Sequence, residues 1–263
     1  MNCLIECFKT MFVNHYPKLI ISQTVFYLFS MAIKNPTVVD VAWGANHMVI
    51  GYSILKGLGL KSNLIAVGLA TAWFFRLSGF IIYNRIWKRH VDPRYEEMRK
   101  NKNDYLYYFF QFQLQAVLTV FTAVPLYYAL GNTLSNPLNL LGVGLCVAGI
   151  LGEALADQQL QNFKNSKPEK GAVFREGLFK YSRHPNLFFD LTFWTGMAFI
   201  GINFTNYCSV ISLLGPAFLW FIMYKLTIPI TTKHMKRTRP NYEKVIAETH
   251  TFWPFTPKTI NMH

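Results

Sequence analysis

Long apolar segments alternate with short polar ones along this chain, from about residue 18 to about residue 230. Most are close to the ~20 residues that a helix needs to cross a bilayer. We therefore expect an all-α, polytopic membrane bundle that forms a single domain over residues 1–263. Ser78-Gly79 marks a point where the third span is expected to break. The predicted spans are residues 18–34, 38–56, 62–87, 108–130, 138–160, 186–202 and 207–230.

Composition supports a membrane location, and the charge distribution predicts an orientation. The chain is 52% hydrophobic and only 15% charged, with a net charge of +13, whereas soluble domains are about 25% charged. Eighteen of the 26 lysines and arginines lie in residues 88–102, 164–183 and 233–258, on one side of a seven-span bundle. By the positive-inside rule the C-terminus faces the cytosol or the matrix.

Attraction to anionic lipid explains this basicity better than nucleic-acid binding does. The endoplasmic reticulum and the mitochondrial inner membrane both fit.

The four cysteines do not have the spacing of metal ligands, so no metal site is predicted. Cys3 and Cys7 are one helical turn apart near the N-terminus. Cys146 and Cys208 lie in apolar segments, and we expect both to be small core residues.

The polar residues before the sixth span form a candidate anion site. Lys180, Arg183, His184 and Asn186 precede an apolar segment that carries one acid, Asp190. Cations at the start of a helix favour a bound anion. A carboxylate inside a membrane span costs free energy unless it is paired or takes part in function. Ion pairing within the bundle is the structural alternative for such acids.

Four blocks and a tail motif, in this order, carry a family resemblance. They are Val39-Asp-Val-Ala-Trp-Gly44, Asp92-Pro-Arg-Tyr95, Glu153-Ala-Leu-Ala-Asp-Gln-Gln-Leu-Gln-Asn-Phe-Lys164, Gly177-Leu-Phe-Lys-Tyr-Ser-Arg-His-Pro-Asn186 and Arg239-Pro-Asn-Tyr242. The chain resembles membrane reductases of the steroid 5-alpha-reductase type, in particular the branch called a domain of unknown function (DUF1295).

This resemblance implies a bundle that binds NADPH at its cytosolic or matrix face. Hydride would pass to a conjugated double bond of a lipid-like enone, such as a sterol, polyprenol or acyl compound. The implied cofactor-binding residues are Asp157, Gln159, Arg183, His184, Asn186, Asp190, Arg239 and Tyr242.

Reduction of an enone also needs a group that polarises the carbonyl oxygen. A tyrosine hydroxyl oriented by a carboxyl would serve. No motif specifies this pair, and Asp40 with Tyr83, at matching depth on adjacent spans, is the predicted one. The alternative is that Asp40 caps the second span and that Tyr83 is an interface aromatic residue.

Departures from the family pattern keep two other functions open. The family loop continues Asn-Tyr-x-Gly-Glu, whereas this chain has Asn186-Leu-Phe-Phe-Asp190, and Val245 replaces a second tail tyrosine. A catalytically silent accessory subunit of a membrane complex, such as a respiratory assembly, is the first alternative, and its partners would be proteins of that complex. The second is an S-adenosylmethionine-dependent lipid or prenylcysteine methyltransferase, a class that shares the Arg-His-Pro loop.

Overall fold

A computed structural model describes residues 2–91, Tyr95 and residues 105–254, and within these residues it contains helices and no β-strand. The α-helices are α1 (Asn2–Thr10), α2 (Tyr16–Ile33), α3 (Val38–Leu58), α4 (Leu64–Ile81), α5 (Tyr105–Thr122), α6 (Val124–Ala129), α7 (Pro137–Asn165), α8 (Pro185–Gly201), α9 (Leu214–Ile222), α10 (Ile228–Thr238) and α11 (Tyr242–Glu248). Three π-helical segments, Met11–His15, Ile82–Trp87 and Met223–Thr227, continue or join α-helices. Short 3-10 turns occupy Gly59–Lys61, Gly177–Lys180 and Tyr207–Leu213. The all-helical prediction is confirmed.

Three helices in the described part of the chain are long and apolar enough to cross a membrane. They are Leu64–Trp87, Pro137–Asn165 and Tyr207–Thr238, which correspond to the third, fifth and seventh predicted spans. The count of seven spans is not confirmed. The sixth predicted span is α8, whose 17 residues extend only about 26 Å at 1.5 Å per residue, less than a typical hydrocarbon core of ~30 Å.

Two local features differ from the predicted spans. The segment 108–130 is interrupted at Ala123, whose ψ of 1° separates α5 from α6. Pro125 follows and starts the new helix within its first turn, where a missing backbone N–H costs nothing. By contrast, the break expected at Ser78-Gly79 is wrong, because α4 continues to Ile81 and then widens into the π-helical turn.

The first of two compact units comprises Met1–Gly144 and Trp194–Phe218. One core cluster joins Val38, Val39 and Ala42 of α3 to Phe112 of α5, all buried. Apolar packing of this kind holds the start of α3 in place, and Asp40 lies there in the first turn of that helix.

A disulfide links Cys3 to Cys208 within this unit. The expectation that Cys208 is a small core residue is therefore wrong. Its partner lies 205 positions away in the sequence, so that spacing along the chain could not indicate the pair.

The second unit comprises Leu145–Phe193 and Leu219–His263. Within it, α7 and α8 approach closely where Gly149 faces the backbone of Phe193. Cys146, one turn earlier on α7, is a free and buried cysteine, and its thiol donates to the Phe193 carbonyl over 3.4 Å. The prediction that Cys146 is a core residue is confirmed.

Candidate functional site

The polar loop before α8 is anchored to the end of α7 by Gln159. Its Oε1 accepts a hydrogen bond from the Leu178 amide at 3.0 Å, which fixes the start of the 3-10 turn. Gly177 makes this possible, because its φ is +55° and a Cβ there would lie 2.5 Å from the Gln159 carboxamide. Only glycine takes that conformation at no steric cost. Gln159, predicted to bind cofactor, therefore also shapes the loop.

The C-terminal tail holds the other end of the same loop. The Arg183 amide donates to the His250 carbonyl at 2.9 Å, and Ser182 pairs with His250 in an isolated parallel bridge. The Ser182 hydroxyl donates to the Phe252 carbonyl at 2.9 Å. The loop and the tail therefore form one hydrogen-bonded structure within the second unit.

Arg183 uses only part of its hydrogen-bonding capacity in contacts with the described residues. Its Nη2 donates to the Thr251 hydroxyl at 2.6 Å, while Nε and Nη1 are buried and have no hydrogen-bond partner among the described residues. Buried donors without acceptors cost free energy. A guanidinium pairs well with phosphate, so an anionic group of this kind is one acceptor that these N–H groups could take.

The start of α8 adds to the same anion site. Pro185 is the first residue of α8, a position that suits its fixed φ, and the positive end of the helix dipole lies there. His184, immediately before it, is only 7% exposed, and its Nε2 has no hydrogen-bond partner in residues 2–91, Tyr95 or residues 105–254. Burial, with a smaller contribution from the Arg183 charge, lowers the pKa of His184 to about 3. The imidazole is therefore neutral at physiological pH.

Two of the predicted acids lie beside this loop. The Asn186 Nδ2 donates to the Asp157 Oδ1 over a long distance of 3.4 Å, which brings α8 and α7 together. Asp190 is 9% exposed and lies one helical turn after Asn186 on α8. The structure therefore brings Asp157 and Asn186 into contact and puts Asp190 on the same face of α8 as Asn186.

Arg239 contacts an earlier part of the loop, and Tyr242 lies beside Arg239. The Arg239 Nε donates to the Ala172 carbonyl at 3.2 Å, and its Nη1 donates to the Thr238 hydroxyl. Burial lowers the pKa of Arg239, which the nearby Tyr242 partly offsets. Tyr242 is only 2% exposed. These hydrogen bonds support the segment between α7 and the 3-10 turn.

Phe189, where the family has glycine, packs against α7. A Cβ added to Gly152 would lie 2.2 Å from the Phe189 ring, so the ring fills the notch that this glycine leaves. The extra volume of Phe189 is therefore matched by a missing side chain on the neighbouring helix.

In the first unit, Asp40 contacts Tyr95. The Tyr95 hydroxyl donates to the Asp40 Oδ1 at 2.7 Å, and the ring packs against the cluster of Val38, Val39, Ala42 and Phe112. Tyr83, the tyrosine predicted to pair with Asp40, is 61% exposed, and the Lys88 ammonium lies 4.7 Å from its ring centre. Tyr83 lies in the π-helical segment Ile82–Trp87, and its pairing with Asp40 in catalysis stays a prediction.

Sequence reasoning missed two side chains of these sites. Tyr95 ends the Asp-Pro-Arg-Tyr block, so the family resemblance already contained its signal. Thr251 had no signal, because a lone threonine in a tail matches no motif. No group of three or more histidine, cysteine or acidic side chains suited to a metal ion occurs in the described part of the chain.

Comparison with known families gives one match. A family model described as "Protein of unknown function (DUF1295)" matches residues 26–249, which is most of the chain. No curated protein and no solved structure matches the chain.

Proposed function

Because this chain belongs to the DUF1295 family, whose members are steroid 5-alpha-reductase-like membrane proteins, we propose that it is an NADPH-dependent reductase. The substrate would be a lipid-like enone (a sterol, polyprenol or acyl compound), and the product its saturated carbonyl compound. The single observation that carries this proposal is the Arg183 guanidinium just before α8, in which two buried nitrogens have no acceptor within the part of the chain that the structure describes.

The second unit would bind the cofactor. Arg183 would pair with a phosphate through Nε or Nη1, and the N-terminus of α8 would add its dipole to that attraction. His184, neutral at physiological pH, would offer a hydrogen bond without a second positive charge. Asp157, Gln159, Asn186 and Asp190 would contact the uncharged parts of the nucleotide, and Arg239 with Tyr242 would support the loop.

The group that polarises the substrate would be the Tyr95 hydroxyl. The Tyr95 hydroxyl carries a single proton and now donates it to Asp40. An enone carbonyl that arrives at this hydroxyl would replace Asp40 as the acceptor, because the phenolic O–H can turn from one in-plane orientation to the other. Negative charge develops on that oxygen during reduction, and a donor in place at that moment lowers the barrier.

The reaction balances with a hydride and one proton. When bound, NADPH supplies the hydride to the β-carbon of the enone and leaves as NADP+. A proton from solvent completes the α-carbon, so that one carbon–carbon double bond becomes a single bond.

Cofactor titration tests the proposal directly. We expect the purified protein in detergent to bind NADPH, and Arg183→Ala to weaken that binding by about 2 kcal/mol, the value of a charged hydrogen bond. Incubation with a panel of lipid-like enones should consume NADPH and yield the saturated product, seen by mass spectrometry. S-adenosylmethionine is the control ligand, and its binding in place of NADPH would indicate the methyltransferase alternative.

The accessory-subunit alternative rests on Leu187 and Phe189, which depart from the family loop. It predicts that wild-type protein fails to bind NADPH and co-purifies with a large membrane complex. Turnover of an enone by the isolated protein would exclude it.

A further inference from the structure

The segment from Thr249 to Trp253 packs alongside the loop before α8. Besides the hydrogen bonds from Ser182 and Arg183, the Phe188 ring lies 5.7 Å from that of Phe252 and 5.5 Å from that of Trp253. This segment therefore has a defined position relative to the loop. Thr251 lies at its centre and is the residue that contacts a charged side chain.

The chemistry of this contact differs from an ordinary ion pair. The Thr251 hydroxyl is a neutral acceptor, so its hydrogen bond to the Arg183 Nη2 orients the guanidinium without compensating its charge. A carboxylate in that place would neutralise the cation and repel an anionic ligand. The hydroxyl leaves the full charge available, together with Nε and Nη1.

We propose that Thr251 is a positioning residue for a phosphate of the dinucleotide, and that it acts by fixing the Arg183 guanidinium with Nε and Nη1 free to bind. This inference rests on the proposed function and adds to it a residue outside the family motifs. A fixed donor loses less rotamer entropy on binding than a mobile arginine does. The segment around Thr251 is thus part of the cofactor site through Arg183.

Three substitutions of Thr251 distinguish effects on the orientation of Arg183 from effects on its charge and on the stability of the fold. Thr251→Val removes the acceptor and keeps the shape, and we expect the Kd for NADPH to rise about tenfold. Thr251→Ser keeps the hydroxyl and should stay within about twofold of wild type. Thr251→Asp keeps an acceptor for Arg183, so the fold should keep its thermal stability, yet we expect the Kd to rise on the order of a hundredfold because the carboxylate neutralises the cation.

The measurements are NADPH affinity by calorimetry and the melting temperature of each protein in detergent without cofactor. Thr231→Val is the matched control, because the Thr231 hydroxyl donates to a backbone carbonyl four residues earlier, that of Thr227, at 2.9 Å. Inorganic pyrophosphate serves as a second probe that contains phosphate without nucleoside, and its affinity should fall in parallel in Thr251→Val and Thr251→Asp.

The outcomes are distinct. Wild-type protein that does not bind NADPH overturns the proposed function and this inference together. Wild-type protein that binds NADPH, while Thr251→Asp binds it equally well, overturns this inference alone. A loss of affinity in Thr251→Val that Thr251→Ser does not share, with Thr251→Asp stable and unable to bind, supports it.

Discussion

Arg183 and His184 are neighbours in the sequence, yet only the arginine side chain is charged at physiological pH. Arginine side chains are always charged in proteins, and two nitrogens of Arg183 have no acceptor among the residues that the structure describes. Burial lowers the pKa of His184 and keeps its ring neutral. An anion that enters this loop meets one fixed cation and one polar ring. This division favours a ligand with a concentrated negative charge, such as a phosphate, over a weakly charged one.

The low pKa of His184, about 3, predicts that the fold loses stability in mild acid. In the unfolded chain this histidine would titrate near its ordinary pKa of about 6.5. Between these two values the unfolded state binds a proton that the folded state excludes, so the free energy of unfolding falls as pH decreases below about 6.5. Melting temperatures in detergent from about pH 8 to about pH 5 should show this decline, and His184→Gln should flatten it. An equal decline in the variant would contradict the assignment.

Tyr95 and Asp40 predict a separation between catalysis and cofactor binding. We expect Tyr95→Phe to lower kcat for enone reduction by about a hundredfold to a thousandfold, as is typical for the loss of one donor to a developing oxyanion. The Kd for NADPH should not change, because neither residue is among those proposed to bind the cofactor. Asp40→Asn should have a smaller effect, since an amide oxygen still accepts from the hydroxyl. Tyr83→Phe tests the other tyrosine. If kcat falls in Tyr83→Phe and not in Tyr95→Phe, Tyr83 is the residue that polarises the carbonyl oxygen.

At the scale of helices, the pairing of α7 with α8 depends on complementary side-chain volumes. The chain has glycine at 152 and phenylalanine at 189, so the two helices can pack closely with an aromatic ring between them. The departure from the family motif at Phe189 is therefore accommodated by packing within the second unit.

This packing predicts a strong coupling between the two residues. Gly152→Ala should destabilise the protein by about 1–3 kcal/mol, because the new methyl group would overlap the Phe189 ring. Phe189→Leu in the same chain should recover part of that loss, so that the double variant is more stable than the sum of the single effects predicts. Gly144→Ala on the same helix is the control, since nothing lies within 4 Å of a Cβ added there. Melting temperatures in detergent compare wild type with Gly152→Ala, Phe189→Leu, the double variant and Gly144→Ala. Simple additivity of the Gly152→Ala and Phe189→Leu effects would contradict the coupling.

At the scale of the whole molecule, a disulfide and the charge distribution bear on orientation. Cys3 and Cys208 are bonded, and disulfides persist in oxidising compartments. The three basic segments predict that the C-terminus faces the cytosol or the matrix. We therefore propose that the N-terminal end with the disulfide lies on the opposite side of the membrane.

Thiol labelling in intact membrane vesicles checks this orientation. Wild-type protein should resist a polar maleimide reagent until it is reduced, because Cys7 and Cys146 are buried. Cys3→Ser should release Cys208, which the reagent should then label from the side away from the C-terminus. Labelling of Cys208 from the side of the C-terminus would contradict the proposed orientation.

Sequence reasoning performed best where the signal was local. The loop from Gly177 to Asn186 and the acids Asp157 and Asp190 came from contiguous motifs, and the structure brings several of them together within the second unit. It performed worst where a contact joins distant positions, since the hydrogen bond from Tyr95 to Asp40 was not predicted. It also overlooked Cys208 as a disulfide partner, because its apolar neighbours indicated only burial.

Hydrophobicity and charge along the chain were sufficient to determine an all-helical membrane protein, and the ordered motifs identified its family. These properties are readable from sequence because each depends on neighbours within one helix or one loop. Only the tertiary structure decided that Tyr95 donates to Asp40, that Arg183 donates to Thr251 and that Phe189 packs against Gly152. Each of these contacts depends on how closely two segments approach, and that distance is set by packing between side chains far apart in the sequence.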